Sequence, residues 1–146
     1  MSKNGKIIII GGGASGLAAA LAAAKECGGR CVTVLERLDR VGKKLLATGN
    51  GRCNLTNRNA APEHYHSADT ARLADILERT PPDAVLDFFG EMGLLCDTQA
   101  DGRVYPYCYQ ASMVLDVLRA ALERAGVDVA CSCEAVSYTH LTLPTN

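Results

Sequence analysis

The stretch IIIIGGGASGLAAALAAA, residues 7–24, joins an isoleucine run to three glycines and an alanine-rich segment. Consecutive β-branched residues favour a strand of the kind that is buried on both faces of a parallel sheet. From Ala14 to about Cys27 the composition favours a helix, and Gly28-Gly29 suits its C-terminal end. We therefore predict a strand, a glycine turn and a helix in direct succession.

The following segment extends this pattern to a βαβ unit. Residues 31–35, CVTVL, form a second apolar run that we expect to be a buried strand. A strand, a helix and a strand within about thirty residues are joined by a right-handed crossover, which makes the two strands parallel neighbours. The predicted fold class is α/β, with a Rossmann-type nucleotide-binding core.

Beyond a long loop, periodicity and turn residues predict further elements. In chain order these are helices over 70–79 and 82–92, a hairpin turning at Asp101-Gly102, a helix from Ser112 to Ala125 and a strand starting at 127. Ser112 is expected to cap its helix and Gly126 to end it. Cys131 and Cys133 fall in an alternating run that looks like a continuation of the last strand.

Composition limits the partners of the chain. The net charge of −1 offers no extended basic surface, so we expect no nucleic-acid partner. The cysteine count of 7 is odd, which favours reduced thiols in a cytoplasmic protein over a disulfide scaffold. Cys131-x-Cys133 has no second pair at zinc spacing, so we expect no metal site.

Residues 7–24 carry no charge and follow Lys3 and Lys6, as a signal peptide or a membrane span would. Three glycines in the middle would weaken a spanning helix, and a strand, turn and helix explain the same residues better. We therefore expect neither an export signal nor a membrane span. Asn54-Leu55-Thr56 is accordingly not expected to be glycosylated.

The last residues, VSYTHLTLPTN, do not continue the pattern of the chain. They resemble a translated sequencing-adaptor read-through. We expect residues 137–146, His140 included, to be a non-native tail rather than a terminal strand.

The glycine turn has the spacing of a dinucleotide site. Gly11 suits the tight turn, Gly13 lets backbone approach a pyrophosphate, and Gly16 permits close helix packing. The helix N-terminus adds free N–H groups and partial positive charge. Glu36, twenty residues after Gly16 at the end of the second strand, can accept hydrogen bonds from both hydroxyls of an adenosine ribose, which favours FAD or NAD over NADP.

The segment after Glu36, RLDRVGKKLLATGNGRCNLTN, departs from what an NAD dehydrogenase usually has there. Residues 42–44, GKK, can bring backbone and positive charge to a diphosphate. Gly49 and Gly51 let backbone pass close to a flat ring system where a side chain would collide.

These stretches resemble a bacterial family of NAD(P)/FAD-dependent oxidoreductases. Its members are also described as aminoacetone-oxidase-family FAD-binding enzymes and include a flavoprotein associated with bile-acid dehydroxylation. The resemblance covers nearly all of residues 6–135: the glycine motif with Glu36, GKKLLATGNGRCNLTN, GRVYP at 102–106, and the helix ending in AGVDV.

The resemblance implies a glutathione-reductase-like FAD domain, interrupted by a second domain and completed by a returning C-terminal segment. This chain lacks both additions, so we expect residues 1–136 to be the N-terminal part of a truncated FAD-binding domain. By resemblance the ADP half would be bound by Gly11, Gly13, Ser15, Gly16 and Glu36, with Ala135 contacting adenine through its backbone. The pyrophosphate and flavin end would be lined by Lys44, Gly49, Asn50, Gly51, Arg52, Cys53 and Asn54.

The function implied is that of an FAD-dependent oxidoreductase transferring hydride through the flavin, with NAD(P)H or an organic molecule as donor. Alternatives are an NAD-binding dehydrogenase half and a non-catalytic nucleotide-binding module or inert truncated product. The fragment alone need not be active, because much of the cofactor's contact surface would be missing.

The role of single side chains stays open at this stage. Arg52 could stabilise negative charge near reduced flavin or bond to loop carbonyls. Cys53 invites a redox interpretation, but without a CxxC partner a packing role is favoured. His64 and His66 could act as acid or base, yet in a polar linker they are expected to face solvent, and no catalytic residue is nominated.

Overall fold

A computed structural model describes residues 5–136 of the chain. These residues divide into two compact units, one of residues up to Lys43 together with those from Ala120, and one of Lys44–Arg119. The expected tail, residues 137–146, and the lysine at position 3 lie outside the described residues.

The first unit is a parallel three-stranded sheet with the strand order β1-β2-β6. Its elements are β1 (Ile7–Ile10), α1 (Ala14–Cys27), β2 (Val32–Leu35) and β6 (Asp128–Ala130). β1 pairs with β2 from Ile7 opposite Val32 to Ile10 opposite Leu35. The predicted βαβ unit is therefore confirmed, and Gly28, at φ +83°, ends α1 as expected.

Part of the apolar core of this unit lies between the sheet and α1. Leu17 and Ala20 of α1 and Val32 and Val34 of β2 are fully buried, and α1 packs against both β1 and β2. This burial removes apolar surface from water and is the main stabilising term for the βαβ unit.

The prediction that β1 is buried on both faces is wrong for the described residues. Ile8 is 59% exposed and Ile10 is 54% exposed. Ile9 lies against Gly16 of α1, so by strand alternation Ile8 and Ile10 point to the opposite face. Within residues 5–136 no strand pairs with the free edge of β1.

The second unit is built on an antiparallel sheet of three short strands in the order β3-β5-β4. Its elements are α2 (Lys43–Leu46), β3 (Thr56–Asn57), α3 (Thr70–Arg79), α4 (Pro82–Glu91), β4 (Cys96–Thr98), β5 (Arg103–Pro106) and the start of α5 (Ala111–Ala125). β4 and β5 form the predicted hairpin, with Asp97 opposite Tyr105 and Gly102 at φ +85° in the turn.

Two details at the end of the chain differ from the sequence prediction. Tyr109, at φ +55°, turns the chain before α5, which begins at Ala111. Ser112 therefore lies inside the first turn and does not cap the helix. β6 ends at Ala130, so Cys131 and Cys133 follow the strand instead of continuing it.

Gly126, at φ +75°, ends α5 as predicted. Its amide donates to Glu123 O at 3.0 Å and the Val127 amide donates to Leu122 O at 3.0 Å. Among the described residues, no helix has the length and apolar character needed to cross a membrane.

Candidate functional site

The glycine turn between β1 and α1 has the conformation that its motif predicts. Gly11 adopts φ +101°, and its amide donates to Leu35 O at 2.8 Å, which ties the turn to the end of β2. A Cβ at Gly16 would overlap the Gly11 carbonyl. The close start of α1 against the turn thus depends on the absence of a side chain at 16.

Gly13 is the N-cap residue of α1, and no side chain caps the helix there. A Cβ on Gly13 would meet no heavy atom within 4 Å. The first turn of α1 contains no acidic residue, and Ser15 is exposed beside it. The helix N-terminus therefore offers N–H groups and positive potential without a competing carboxylate from its own first turn.

Glu36 is fixed beside this turn by two backbone amides. The Gly12 amide donates to Oε2 at 2.7 Å and the Leu38 amide donates to Oε1 at 2.9 Å. The Leu38 bond, followed by the Gly12 bond, lowers the pKa of Glu36. The side chain is a carboxylate at neutral pH, and each oxygen keeps a lone pair for a further donor.

Sequence reasoning missed Gly12. Its amide orients Glu36, and a Cβ at this position would collide with the side chain of Val41. The Gly42 amide also donates to Gly12 O at 2.8 Å. The glycine spacing assigns no role to the second of three consecutive glycines, so the motif gave no signal for this contact.

The segment after β6 runs beside the backbone of Glu36. The Cys133 amide donates to Glu36 O at 2.9 Å and the Ser132 amide donates to Leu38 O at 2.8 Å. Ala135 follows in the same segment and is half-buried. The first unit therefore brings the glycine turn and Glu36 together and carries Ala135 on a segment bonded to the Glu36 backbone.

The second unit holds the loop with the GNGRCN sequence, and here we call residues Thr48–Asn54 the GNG loop. Gly49 and Asn50 adopt consecutive left-handed conformations, with φ of +56° and +55°. Gly51 has φ +79° and Cys53 has φ +59°. The Cys53 amide donates to Thr48 O at 3.0 Å, which closes the loop on itself.

Gly49 and Gly51 differ in their surroundings. A Cβ on Gly49 would lie 2.8 Å from Asn54 N and 3.3 Å from Tyr105 Cε1, so packing of the second unit itself requires glycine there. A Cβ on Gly51 would meet no heavy atom within 4 Å. Of the two glycines, only Gly51 has open space beside it for a group outside the chain.

The remaining side chains of the GNG loop have distinct environments. With its amide nitrogen toward them, Asn54 donates to Thr56 O at 2.8 Å and Val104 O at 3.2 Å. Arg52 is exposed, and its guanidinium carbon lies 5.3 Å from the centroid of the Tyr105 ring. Cys53 is buried, and burial raises the pKa of its thiol. A protonated, buried thiol favours the packing role for Cys53.

The two lysines ahead of the GNG loop differ in their pairing. Lys43 Nζ lies 2.5 Å from Asp39 Oδ1, so its charge is already paired within the first unit. Lys44 is exposed, and no described carboxylate forms an ion pair with it. Lys44 is therefore the better candidate to bind an anion.

His64 and His66 are both exposed, as predicted. His64 and Tyr65 line a cavity of about 420 Å³ together with Asn57, Asn59, Ala60 and Asp101. In residues 5–136 no three His, Cys, Asp or Glu side chains cluster closely enough to hold a metal ion.

The parallel sheet, the glycine turn and the ribose-type acid define a Rossmann-type nucleotide-binding protein. A sequence model of the HI0933-like protein Rossmann domain matches residues 5–142. The chain belongs to the HI0933-like family. This confirms the predicted family and fold class, and the match runs six residues into the segment expected to be a non-native tail.

Curated relatives include two kinds of enzyme. The chain is 43% identical over 124 residues to the 3-dehydro-bile acid delta(4,6)-reductase of Clostridium scindens, a match covering 85% of this chain and 30% of the reductase. It is 30% identical over 130 residues to the ribosomal RNA dihydrouridine synthase of Haemophilus influenzae, covering 88% of this chain and 31% of the synthase. The Escherichia coli synthase is 28% identical over 131 residues, covering 89% and 32%. The chain thus spans about a third of the length of these relatives.

The crystal structure of Thermovibrio ammonificans THI4 shares the fold, with a TM-score of 0.55 at 19% identity. The similarity covers 87% of this chain and 38% of that one. Two of the relatives are named for an RNA product, so the absence of a nucleic-acid partner, expected from net charge, gains no support from the comparisons.

Proposed function

We propose that residues 1–136 are the N-terminal part of the FAD-binding domain of an oxidoreductase. The observation that carries the proposal is the pairing of a glycine turn at an uncapped helix N-terminus with Glu36, whose carboxylate is held by the Gly12 and Leu38 amides. A pyrophosphate suits the helix N-terminus, and an acid at this position suits the hydroxyls of an adenosine ribose.

In this proposal the ADP half binds in the first unit. Gly11, Gly13 and Gly16 form the turn, Ser15 presents its amide at the helix N-terminus, and Ala135 contacts adenine through its backbone. The helix N-terminus and the ionised Glu36 then orient opposite ends of the ADP group.

The second unit contributes the flavin side. Lys44, with an exposed ammonium, offers charge to the diphosphate. Gly49, Asn50, Gly51, Arg52, Cys53 and Asn54 form the loop that faces the flavin. The open space beside Gly51 supports this role for the loop.

Bound FAD would supply the redox chemistry, by hydride transfer with NAD(P)H or an organic donor. The protein's own part is to hold the cofactor, and the Arg52 cation would stabilise negative charge on it. The odd number of cysteines supports a cytoplasmic setting with reduced thiols. Because the chain spans about a third of its relatives' length, turnover is a property we assign to a longer form.

The substrate proposed first is a small molecule, on the strength of the relative at 43% identity that is named as a bile-acid reductase. A second candidate substrate is ribosomal RNA, since the 30% and 28% identical relatives are named ribosomal RNA dihydrouridine synthases. A longer form of the protein, as long as these relatives and loaded with flavin, is supplied with NADPH and with each substrate in turn. Reduction of the steroid supports the small-molecule substrate, and formation of dihydrouridine supports ribosomal RNA.

Absorption spectroscopy tests the cofactor proposal. The chain is incubated with excess FAD or NAD, desalted, and scanned for bands at the flavin maxima and for released nucleotide. Retained flavin supports the proposal, whereas retained NAD alone supports the NAD-binding dehydrogenase half. If a longer form of the protein, as long as its relatives, retains neither cofactor, the flavoprotein assignment is contradicted. If that form retains flavin that no reductant reduces, the non-catalytic module is favoured.

A further inference from the structure

Arg52 of the GNG loop lies over an aromatic side chain instead of in an ion pair. Its guanidinium carbon is 5.3 Å from the Tyr105 ring centroid, within the range of about 6 Å for a cation–π contact. In residues 5–136 no carboxylate forms an ion pair with Arg52, although four other arginines have such partners. The aromatic contact holds the cation without neutralising it.

Tyr105 is a rigid support for this contact. It belongs to β5, is only 4% exposed, and lies against the backbone of Gly49. The β5 backbone also binds the far end of the loop, because the Leu55 amide donates to Val104 O at 2.9 Å. Both ends of the segment that carries Arg52 therefore contact the same strand.

A second tyrosine packs against the first. The Tyr109 ring centroid lies 5.8 Å from that of Tyr105. Tyr109 Oη donates to the Asp97 carboxylate and accepts from Gln99 Nε2 at 2.6 Å. Asp97 is in turn the cross-strand partner of Tyr105, so Asp97 on β4 and Tyr105 on β5 are connected through Tyr109, which follows β5.

Backbone strain is concentrated in the same region. Four non-glycine residues of the described chain have positive φ, and three of them are Asn50, Cys53 and Tyr109. Such conformations are unfavourable for residues that carry a side chain and persist where surrounding contacts enforce them. At Tyr109 the left-handed turn precedes α5, and the side chain bonds to the β4 side chain of Asp97.

We propose that Tyr105, Tyr109 and Asp97 are positioning residues that hold Arg52 in one orientation with its charge available to an anionic ligand. That the ligand is the cofactor rests on the proposed function. The fixing of Arg52 by the two tyrosines does not, so the two statements can be tested separately.

Tryptic cleavage after Arg52 measures how firmly the loop is held. Cleavage after the exposed Arg37 in the first unit serves as the internal reference. Tyr109→Phe keeps the ring and removes the bonds to Asp97 and Gln99, and Tyr105→Leu removes the aromatic face. Tyr107→Leu, at a neighbouring tyrosine that is 70% exposed, is the matched control.

We expect cleavage after Arg52, relative to Arg37, to be about fivefold faster in Tyr109→Phe, because the hydrogen bonds to Asp97 and Gln99 are lost, and faster still in Tyr105→Leu. Tyr107→Leu should match the wild type. If Tyr105→Leu unfolds the chain, cleavage after Arg52 and cleavage after Arg37 both become faster. The cleavage ratio of Tyr109→Phe then tests the proposal. An unchanged ratio in Tyr109→Phe, or an equal change in Tyr107→Leu, overturns the proposal.

FAD titration followed by flavin fluorescence separates this proposal from the proposed function, in a form that retains FAD. If Arg52→Ala weakens FAD binding about tenfold and Tyr109→Phe weakens it less, both statements are supported. If cleavage responds as expected but neither variant changes the affinity, positioning stands and the flavin-side role of Arg52 fails. If only Arg52→Ala changes the affinity and cleavage is unaffected by Tyr109→Phe, the positioning proposal fails alone.

Discussion

The glycine turn at residues 11–16 and the GNG loop at 48–54 both depend on left-handed backbone, yet they are held in different ways. The glycine turn is held by contacts within itself, with β1 and α1, which it joins, and with the end of β2. In the GNG loop the contacts are made by Tyr105 and Val104, about fifty residues further along the chain. The geometry of the first region is thus largely local, and that of the second depends on the β4–β5 hairpin.

The largest effect is expected from Gly16→Ala. Its Cβ would overlap the Gly11 carbonyl, and backbone cannot move aside without displacing α1 from β1. Overpacking of this kind costs about 3 kcal/mol, so the urea midpoint should fall strongly.

Gly13→Ala is the control for that substitution. Gly13 has φ −80° and a Cβ there meets nothing within 4 Å, so stability should change by no more than about 1 kcal/mol, the cost of alanine at an N-cap position. If the turn binds pyrophosphate, Gly13→Ala should nevertheless weaken ADP binding in a calorimetric titration. Equal destabilisation by the two substitutions would contradict the geometry described for the turn.

A smaller effect is expected from Gly49→Ala in the GNG loop. The new Cβ would lie 2.8 Å from Asn54 N, at a backbone with φ +56°, and we expect a loss of about 2 kcal/mol in the free energy of unfolding. Gly51→Ala adds only the cost of φ +79° in open space, about 1 kcal/mol. Urea denaturation compares the free energies of unfolding of the two variants. A larger loss in Gly51→Ala than in Gly49→Ala would show that packing of the loop does not require glycine at position 49.

This contrast explains how much the sequence could predict. The βαβ unit, the hairpin turn and most helix boundaries follow from local signals such as the isoleucine run, Asp101-Gly102 and Gly126. The glycine spacing and Glu36 likewise carry their geometry with them, because the turn, the helix start and the strand end are adjacent in the chain or in the sheet.

What could not be predicted depends on contacts between distant residues. The exposure of Ile8 and Ile10 reflects which strands pair, and a run of isoleucines does not encode that. Nothing in GNGRCN indicates that Tyr105 supports Arg52, or that Tyr109 turns the chain and displaces Ser112 from the expected cap. The difference between the two lysines also depends on the folded backbone: Lys43 pairs with Asp39, whereas Lys44 is exposed and has no ion-pair partner among the described carboxylates.

A moderate, pH-dependent effect is expected from Glu36→Gln. The Leu38 and Gly12 amides lower the pKa of this carboxyl, so its contribution to stability is present above the unfolded pKa of about 4.3 and is lost as the pH falls through the folded pKa. A neutral amide has one acceptor oxygen for the two N–H donors. The variant should lose on the order of 1 kcal/mol at pH 7.

Urea denaturation at pH 7 and pH 3 measures this dependence. The difference between Glu36→Gln and the wild type should shrink at the lower pH. Glu134→Gln, which removes only an exposed pair at 3.7 Å from Arg37, serves as the control and should change stability by less than about 0.5 kcal/mol. A Glu36→Gln deficit that is equal at both pH values would contradict the role of the carboxylate charge.

The smallest effect on stability is expected at the adjacent lysines Lys43 and Lys44, and these two variants test most directly which of the two regions contacts the diphosphate. Lys43→Ala removes an ion pair with Asp39 and should cost about 0.4 kcal/mol, while Lys44→Ala removes an exposed side chain and should leave stability unchanged. For FAD binding the order should reverse, because only Lys44 has a charge that is not already paired with a described carboxylate. Titration at low and high salt checks this: the loss of affinity in Lys44→Ala should diminish at high salt as screening weakens the ionic contact. A larger loss of affinity in Lys43→Ala would instead place the diphosphate contact with the first unit, on the glycine-turn side of the comparison.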